Sequence, residues 1–243
     1  MSSSKVIPYN NSNGSKKEQV EQMFNNIASR YDLLNMILSL GIFKYWLNTL
    51  VKNVHAVHPE KVLDVATGTG DVAIALIKKN IPSIAGLDIS EHMLQQAKVK
   101  LHRLNADEKI EWIKGDGENL PFEDNKFDAV SVAYGVRNFE NLEKGLEELY
   151  RVTCNGGKLF VLEFSTLKSK IVKSIFGFYF NNICPLIGKI IAGDGSAYKY
   201  LPNSVKIFPY GEAFILKLKQ AGFQSATCQP LSFGIASLYC AVK

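Results

Sequence analysis

Five short runs rich in β-branched and aromatic residues, KVLDVA, SIAGLD, KIEWIKG, FDAVSVAY and GKLFVLEF, punctuate the middle of the chain, with helical patterns such as EHMLQQAKVKLHRL and LEKGLEELYRV between them. This alternation constrains the fold more than any other feature. A helix that follows a strand carries the chain back across one sheet face, so the next strand enters parallel to the first. Repetition of that unit predicts an α/β fold with a doubly wound, mostly parallel sheet. A further helical pattern, GEAFILKLKQAGF, precedes two late strands near Ser225–Pro230 and Ala236–Val242 that close the domain.

At 243 residues, 47% hydrophobic and 21% charged, the chain suits one domain and is too apolar to be disordered throughout. Its net charge of +5 comes without basic blocks, so no nucleic acid partner is expected, while a pI near 8.9 tolerates an anionic membrane surface. Residues 1–17 are polar where an export signal needs an apolar core; they read as a disordered tail on a cytoplasmic protein. Residues 18–243 read as a single domain. Its first part, 18–56, carries two helices joined around Leu40 and Gly41, with Met23, Phe24, Ile27 and Tyr31 on one face.

A second special region, 166–209, interrupts the alternation. Within it Ile171–Gly193 is nearly all apolar, but Lys173, Asn181, Asn182, Pro185 and Lys189 break it, so it is not read as a membrane span. It suits a cover over a hydrophobic pocket or an interfacial element. Cys154, Cys184, Cys228 and Cys240 lie far apart and read as buried free thiols, and the four histidines show no metal-ligand spacing. No metal is expected.

VLDVATGTGDVA places Asp64 near the end of the first strand and Thr67, Gly68 and Gly70 in the turn that opens the next helix. Glycine there lets the backbone approach a ligand closely. The pattern GxGxxA also fits Gly68, Gly70 and Ala73, which keeps a nicotinamide-dependent oxidoreductase in view. Asp88 ends the second strand 20 residues after Gly68, where a carboxylate can accept from both ribose hydroxyls. Asp64 separates the readings. An anion there repels a pyrophosphate and favours a ligand with a cationic amino group, such as S-adenosylmethionine. Asp116 with Gly117 follows the third strand, suited either to the adenine amino group or to shaping a turn.

Together VLDVATGTGD, the Asp88 strand end, GDGENLPFEDNKFDAVSVAYGVRN and GGKLFVLEFS resemble the menaquinone and ubiquinone biosynthesis C-methyltransferases, a branch of the class I S-adenosylmethionine-dependent methyltransferases. YDLLNMILSLGIFKYW, Tyr31–Trp46, resembles that family's N-terminal signature, and IAGDGSAYKYLPNSVKIFP its insertion. The resemblance runs from about Val20 to the C-terminus. Leu34, Phe43 and the run Thr153, Cys154, Asn155 depart from the family pattern; Phe43 stands where a histidine is usual, so no proton-transfer role attaches to it.

The resemblance implies a Rossmann-like, seven-stranded sheet, with residues 18–56 as a cover and 166–209 on the substrate side. It implies S-adenosylmethionine as cofactor and methyl transfer to a ring carbon of demethylmenaquinol, or, alternatively, of 2-methoxy-6-polyprenyl-benzoquinol in ubiquinone biosynthesis. Another phenolic or lipid acceptor is a third reading, and a noncatalytic binding module a fourth. Arg137 and Asn138, just past the fourth strand, are expected to face a quinol oxygen, with Arg137 stabilising a phenolate or acidifying a water; a surface ion pair with Glu140 or Glu143 is the competing role. Tyr31 is a further catalytic candidate, or a core aromatic. Asp194, Tyr198 and Tyr200 are expected on the substrate side. A polyprenyl tail makes Ile171–Gly193 a candidate for peripheral membrane contact or a tunnel, against packing in a core or dimer interface; a homodimer is left open.

Overall fold

The computed structural model describes residues 6–9, 14–165 and 196–243. Strands β1 (Lys61–Val65), β2 (Ser83–Asp88), β3 (Glu111–Lys114), β4 (Phe127–Ala133), β5 (Thr153–Phe164), β6 (Ser225–Leu231) and β7 (Ala236–Val242) form one sheet in the order β3-β2-β1-β4-β5-β7-β6. The first five are mutually parallel, and β7 runs antiparallel between β5 and β6. The chain builds from β1 out to β3, then returns to the other side of β1 to add β4 and β5. Loops leaving β1 and β4 therefore diverge, and a crevice opens at the carboxyl edge between them.

Alternating side chains bury both faces of the sheet. Val62, Ala129 and Phe160 pack beneath α3 (Ile42–His55) and α4 (Asp71–Ile77), joined by Leu101 of α5 (Glu91–His102). Leu63, Val65, Val130, Val132 and Leu159 face α6 (Leu142–Val152) and the C-terminal helix Glu212–Gln220. Each such aliphatic side chain contributes about 1.5–3 kcal/mol on burial. Trp112 of β3 lies under the glycine loop, where a Cβ on Gly70 or Gly86 would meet its ring at 2.6 Å. Gly70, also at φ 81°, is thus required by the turn and by packing together.

Helices α1 (Lys16–Ile27) and α2 (Tyr31–Leu38), joined by a 3₁₀ turn, lie over the carboxyl edge. Their apolar sides gather Val20, Met23, Ile27 and Leu34 with Met93 of α5 and Tyr200 of α7 (Ser196–Ile207). The C-terminal helix Glu212–Gln220 is α8.

Order begins earlier than the polar tail composition suggests. Helix α1 starts at Lys16 behind a capping box in which Ser15 Oγ accepts from Glu18 N–H and Ser15 N–H donates to Glu18 Oε2. Tyr9 N–H donates to Gln19 Oε1 at 2.9 Å, and Val6 and Tyr9 pack on the cover cluster. The expected tail boundary at 17 therefore falls inside a helix, because the SKKE cap is as polar as a disordered segment. Residues 166–195, with the apolar run Ile171–Gly193, Cys184 and Asp194, lie outside the described residues. Among the described residues no single helix is long and apolar enough to cross a membrane. Cys154, Cys228 and Cys240 are free and half-buried, less deeply placed than expected.

Candidate active site

Two cavities meet beneath the helical cover. The first, about 80 Å³, lies in the crevice among Gly68, Leu87, Asp88, Ile89, Asp116, Gly117 and Asn138, with Val20 and Phe24 of α1 above. The second, also about 80 Å³, is lined by apolar side chains of the cover, Phe43 and Phe164, with Arg137, Tyr200 and Asn35 among them. Phe24, Tyr31 and Tyr134 line both and form the shared wall.

Backbone geometry brings these groups together. Ala66, after β1, and Tyr134, after β4, both adopt left-handed φ of 53° and 58°. Non-glycine residues held there cost of order 1–3 kcal/mol and cluster at functional sites. Gly135 lets the two loops touch: a Cβ there would sit 2.6 Å from Ala66 Cβ. Gly68 differs from Gly70, since a Cβ on it would meet nothing within 4 Å. Its backbone therefore borders open space.

The three carboxylates are held in different ways. Asp88 lines the first cavity, 6% exposed, accepting from Gly68 N–H and Ser90 N–H at 2.8 Å each. Burial pushes its pKa up to about 6, although those backbone donors oppose the rise. Asp116 also lines the cavity; Oδ1 accepts from Glu118 N–H, closing a turn, while Oδ2 pairs with Lys17 Nζ at 2.8 Å. Asp116 thus shapes a turn, one of the two roles expected of it, and stands in the cavity wall. Asp64 is different. It is 1% exposed and not part of the cavity lining, with Oδ2 accepting from Thr67 Oγ1 at 2.6 Å and Oδ1 from Ser131 Oγ at 2.7 Å. Burial lifts it to about 6 as well. Asp64 and Ser131 are register partners of β1 and β4, so Asp64 is turned toward its neighbour strand. Of the expected cofactor residues, Gly68, Asp88, Asp116 and Gly117 line the cavity, whereas Asp64, Thr67 and Gly70 shape the loop behind it.

Arg137 and Asn138 fall in the 3₁₀ turn after β4 and part company. Asn138 lines the first cavity and Arg137 the second, where both had been expected to face one oxygen. Neither surface acid pairs with Arg137. Its Nη1 donates to Glu163 Oε1 and Oε2 at 2.9 and 3.2 Å and to Tyr134 O, and the guanidinium lies 5.4 Å from the Phe164 ring centroid. Glu163, at the end of β5, is 0% exposed. Among the described residues, four buried polar atoms in the second cavity's lining have no hydrogen-bond partner: Asn35 Nδ2, Tyr134 OH, Arg137 Nε and Tyr200 OH. Burial pushes Tyr31 and Tyr134 upward and Tyr200 to about 12. These phenols stay protonated donors at neutral pH. Tyr31 also packs edge-on to Phe24, so its aromatic role in the cover and its place at the shared wall coexist. Tyr198 sits in α7, and Asp194 lies outside the described residues.

The cover is latched to both loops by polar contacts. Lys16 Nζ donates to the carbonyls of Arg137 and Phe139, and Lys17 to Asp116. Asp32 of α2 accepts from Thr69 of the glycine loop and from Lys100, which also pairs with Asp71. Buried Glu118 accepts from Glu140 and Asn141 N–H, fixing the loop after Arg137. Sequence reasoning assigned no role to Glu163, Glu118, Lys16, Lys17 or Asn35. For Glu163 a signal existed: a carboxylate inside an apolar strand run is rare without a partner.

Comparison with known proteins identifies the family and the fold. Residues 12–243 match the ubiE/COQ5 methyltransferase family. Demethylmenaquinone methyltransferase of Bacteroides fragilis is 44% identical over 240 residues, 98% of each chain. Its namesake in Porphyromonas gingivalis is 39% identical over 242 residues, again 98% of each. The ubiquinone/menaquinone biosynthesis C-methyltransferase UbiE of Rickettsia bellii is 38% identical over 94% of each. Among solved structures, an S-adenosylmethionine-dependent methyltransferase from Thermotoga maritima superposes with a TM-score of 0.64 at 18% identity, covering 91% of this chain and 99% of its own. The [4+2]-cyclase SpnF superposes at 0.61 with 14% identity over 98% of each chain, so the architecture alone does not fix the reaction.

Proposed function

Because the chain belongs to the ubiE/COQ5 methyltransferase family, we infer that it C-methylates the ring of demethylmenaquinol to give menaquinol, late in menaquinone biosynthesis. Its methyl donor is S-adenosylmethionine. The first cavity suits that group by its own features: open space at Gly68, acceptor carboxylates at Asp88 and Asp116, and apolar walls at Leu87, Ile89 and Met93 for a flat base. Asp88 would hold the ribose hydroxyls and Asp116 the adenine amino group, with Gly117 alongside. The bound sulfonium supplies an electrophilic methyl group.

The observation that supports the acceptor reading most is the second cavity. It is largely apolar, shares Phe24, Tyr31 and Tyr134 with the first, and, among the described residues, carries unpartnered donors on Arg137, Tyr134, Tyr200 and Asn35. A quinol ring fits that chemistry, having flat apolar faces and oxygen acceptors at its edge. When a ring hydroxyl loses its proton, Arg137 stabilises the oxygen's charge, and delocalisation makes the ring carbon nucleophilic. Carbon–carbon bond formation would break the donor's sulfur–methyl bond and leave its electron pair on sulfur. Loss of the ring proton restores aromaticity and the ring oxygen takes a proton back, so one proton is released overall. Tyr31 and Tyr134, which line both cavities, would flank the line of transfer, which is mainly a matter of alignment.

Methylation of 2-methoxy-6-polyprenyl-benzoquinol is the second reading, favoured by the Rickettsia relative whose name covers both pathways. For the polyprenyl tail, the exposed corner of α2 and α3 is suggestive. Leu33, Met36, Leu40, Ile42 and Tyr45 are exposed there, continuous with Leu34, Leu38 and Phe43 of the second cavity. This corner is a second candidate for peripheral membrane contact beside Ile171–Gly193. Purified protein should methylate reduced demethylmenaquinol, read as a mass shift of one methylene in the product, and bind S-adenosylhomocysteine in calorimetry. Binding of NAD without response to S-adenosylhomocysteine would sink the reading.

A further inference from the structure

We propose that Glu163 is a positioning residue for methyl transfer, holding the Arg137 guanidinium so that its Nε–H edge is offered to the acceptor cavity. The proposal rests on the acceptor reading above. Stability alone is a poor explanation for this pair. Taking two charges out of water is costly, and a buried ion pair can often be replaced by well-packed apolar residues without loss. Here the carboxylate is 0% exposed and the arginine side chain 9%, at the boundary of an apolar cavity.

The geometry has the form of a clamp. Nη1 alone takes Glu163 Oε1, Glu163 Oε2 and Tyr134 O, while the face of Phe164 lies against the guanidinium. Phe164 N–H in turn donates to Glu163 Oε1 at 2.8 Å, fixing the carboxylate. Among the described residues, all hydrogen bonds of the guanidinium are thus gathered on one nitrogen. Nε is left buried without an acceptor, on a side chain that lines the cavity. A planar guanidinium held through Nη1 and stacked on Phe164 presents its Nε–H in a fixed direction. A ring oxygen acquiring charge there meets a donor that need not reorganise, which is where electrostatic catalysis is most effective. Glu163 does not line the cavity and acts through Arg137.

The test uses the full chain with reduced demethylmenaquinol. Glu163→Asp keeps the charge but shortens the clamp. It should bind S-adenosylhomocysteine like wild type and melt close to it, yet lose about a hundredfold in kcat, the scale of a misplaced catalytic group, with a smaller change in KM for the quinol. Glu163→Gln leaves a buried uncompensated cation and is expected to unfold more readily, so it is paired with Arg137→Met. The double variant should turn over no more slowly than Arg137→Met alone, because nothing remains to position. Wild-type kcat in Glu163→Asp, or a further loss in the double variant, overturns the proposal. If wild type methylates neither quinol, the acceptor reading fails, and NMR of the arginine Nε–H groups then decides the clamp by itself. A slowly exchanging Arg137 Nε–H that is lost in Glu163→Asp supports it; an unchanged signal overturns it.

Discussion

The two cavities share a wall but differ in how their polar groups are satisfied. On the glycine-loop side each carboxylate is already engaged: Asp64 by Thr67 and Ser131, Asp88 by Gly68 and Ser90, Asp116 by Glu118 and Lys17. Among the described residues the other side carries more of the unmet atoms: Asn35, Arg137 and Tyr200 each keep a buried polar atom without a protein partner, as do Tyr134 on the shared wall and Asn138 Oδ1 on the glycine-loop side. An unmet buried polar atom is costly, so such a cluster is expected where a ligand completes it. The first cavity is therefore built as a preformed receptor for hydroxyl and amino donors. The second is a set of donors awaiting an acceptor.

The largest test of that contrast is Arg137→Ala. Turnover should fall by roughly 10²- to 10³-fold, the range for removing a donor to a developing oxyanion, with S-adenosylhomocysteine affinity nearly unchanged. Equal loss of binding and turnover, with a lowered Tm, would make Arg137 a structural residue of both halves. The converse is Asp88→Ala, which should weaken S-adenosylhomocysteine about 10- to 100-fold, as expected for losing hydrogen bonds to a charged group. Calorimetry that showed unaltered affinity would move the ribose elsewhere.

A smaller effect concerns pH. Folded Asp88 titrates near 6, against 3.8 for an unperturbed aspartate. Its raised folded pKa means the folded state keeps a proton that the unfolded chain has released. The contribution to stability is thus fully present below about pH 4 and lost as pH rises through about 6. Without ligand, the Tm of Asp88→Asn relative to wild type should accordingly rise between pH 4 and 7. Ligand affinity runs oppositely, being about tenfold weaker at pH 5 than at 7.5 if the ionised carboxylate accepts the ribose hydroxyls; a flat profile argues against that contact. Smallest of all is Lys17→Met. Lys17 occupies one oxygen of Asp116, the residue proposed for the adenine amino group, in a partly exposed pair. Its removal should tighten S-adenosylhomocysteine by roughly two- to fivefold, and weaker binding would mean that the lysine belongs to the site.

Legibility in the sequence followed the range of the interactions. Strands and their ends are local patterns, which is why Asp88, Asp116 and Gly68 could be placed around a cavity from spacing, and Arg137 beside it. Asp64 was legible as a special position but not in its direction. Only pairing with Ser131 across β1 and β4 turns it away from the cavity. Asn138 and Arg137 are adjacent in sequence, yet a tight 3₁₀ turn sends them to different cavities.

The sequence by itself determined the alternating α/β plan, the glycine loop and the acidic strand ends, and its resemblance carried the methyl-transfer reading. The tertiary structure alone decided the partners. Arg137 meets Glu163 because β4 and β5 are neighbours, with Ala133 opposite Leu162, although 26 residues separate the pair in the chain. Lys16 reaches the Arg137 carbonyl across 121 residues, and Tyr200 joins the same cavity from α7. Such contacts depend on strand order and on how the cover packs. Periodicity reports which face of an element is buried, and says nothing of which distant residue will be buried against it.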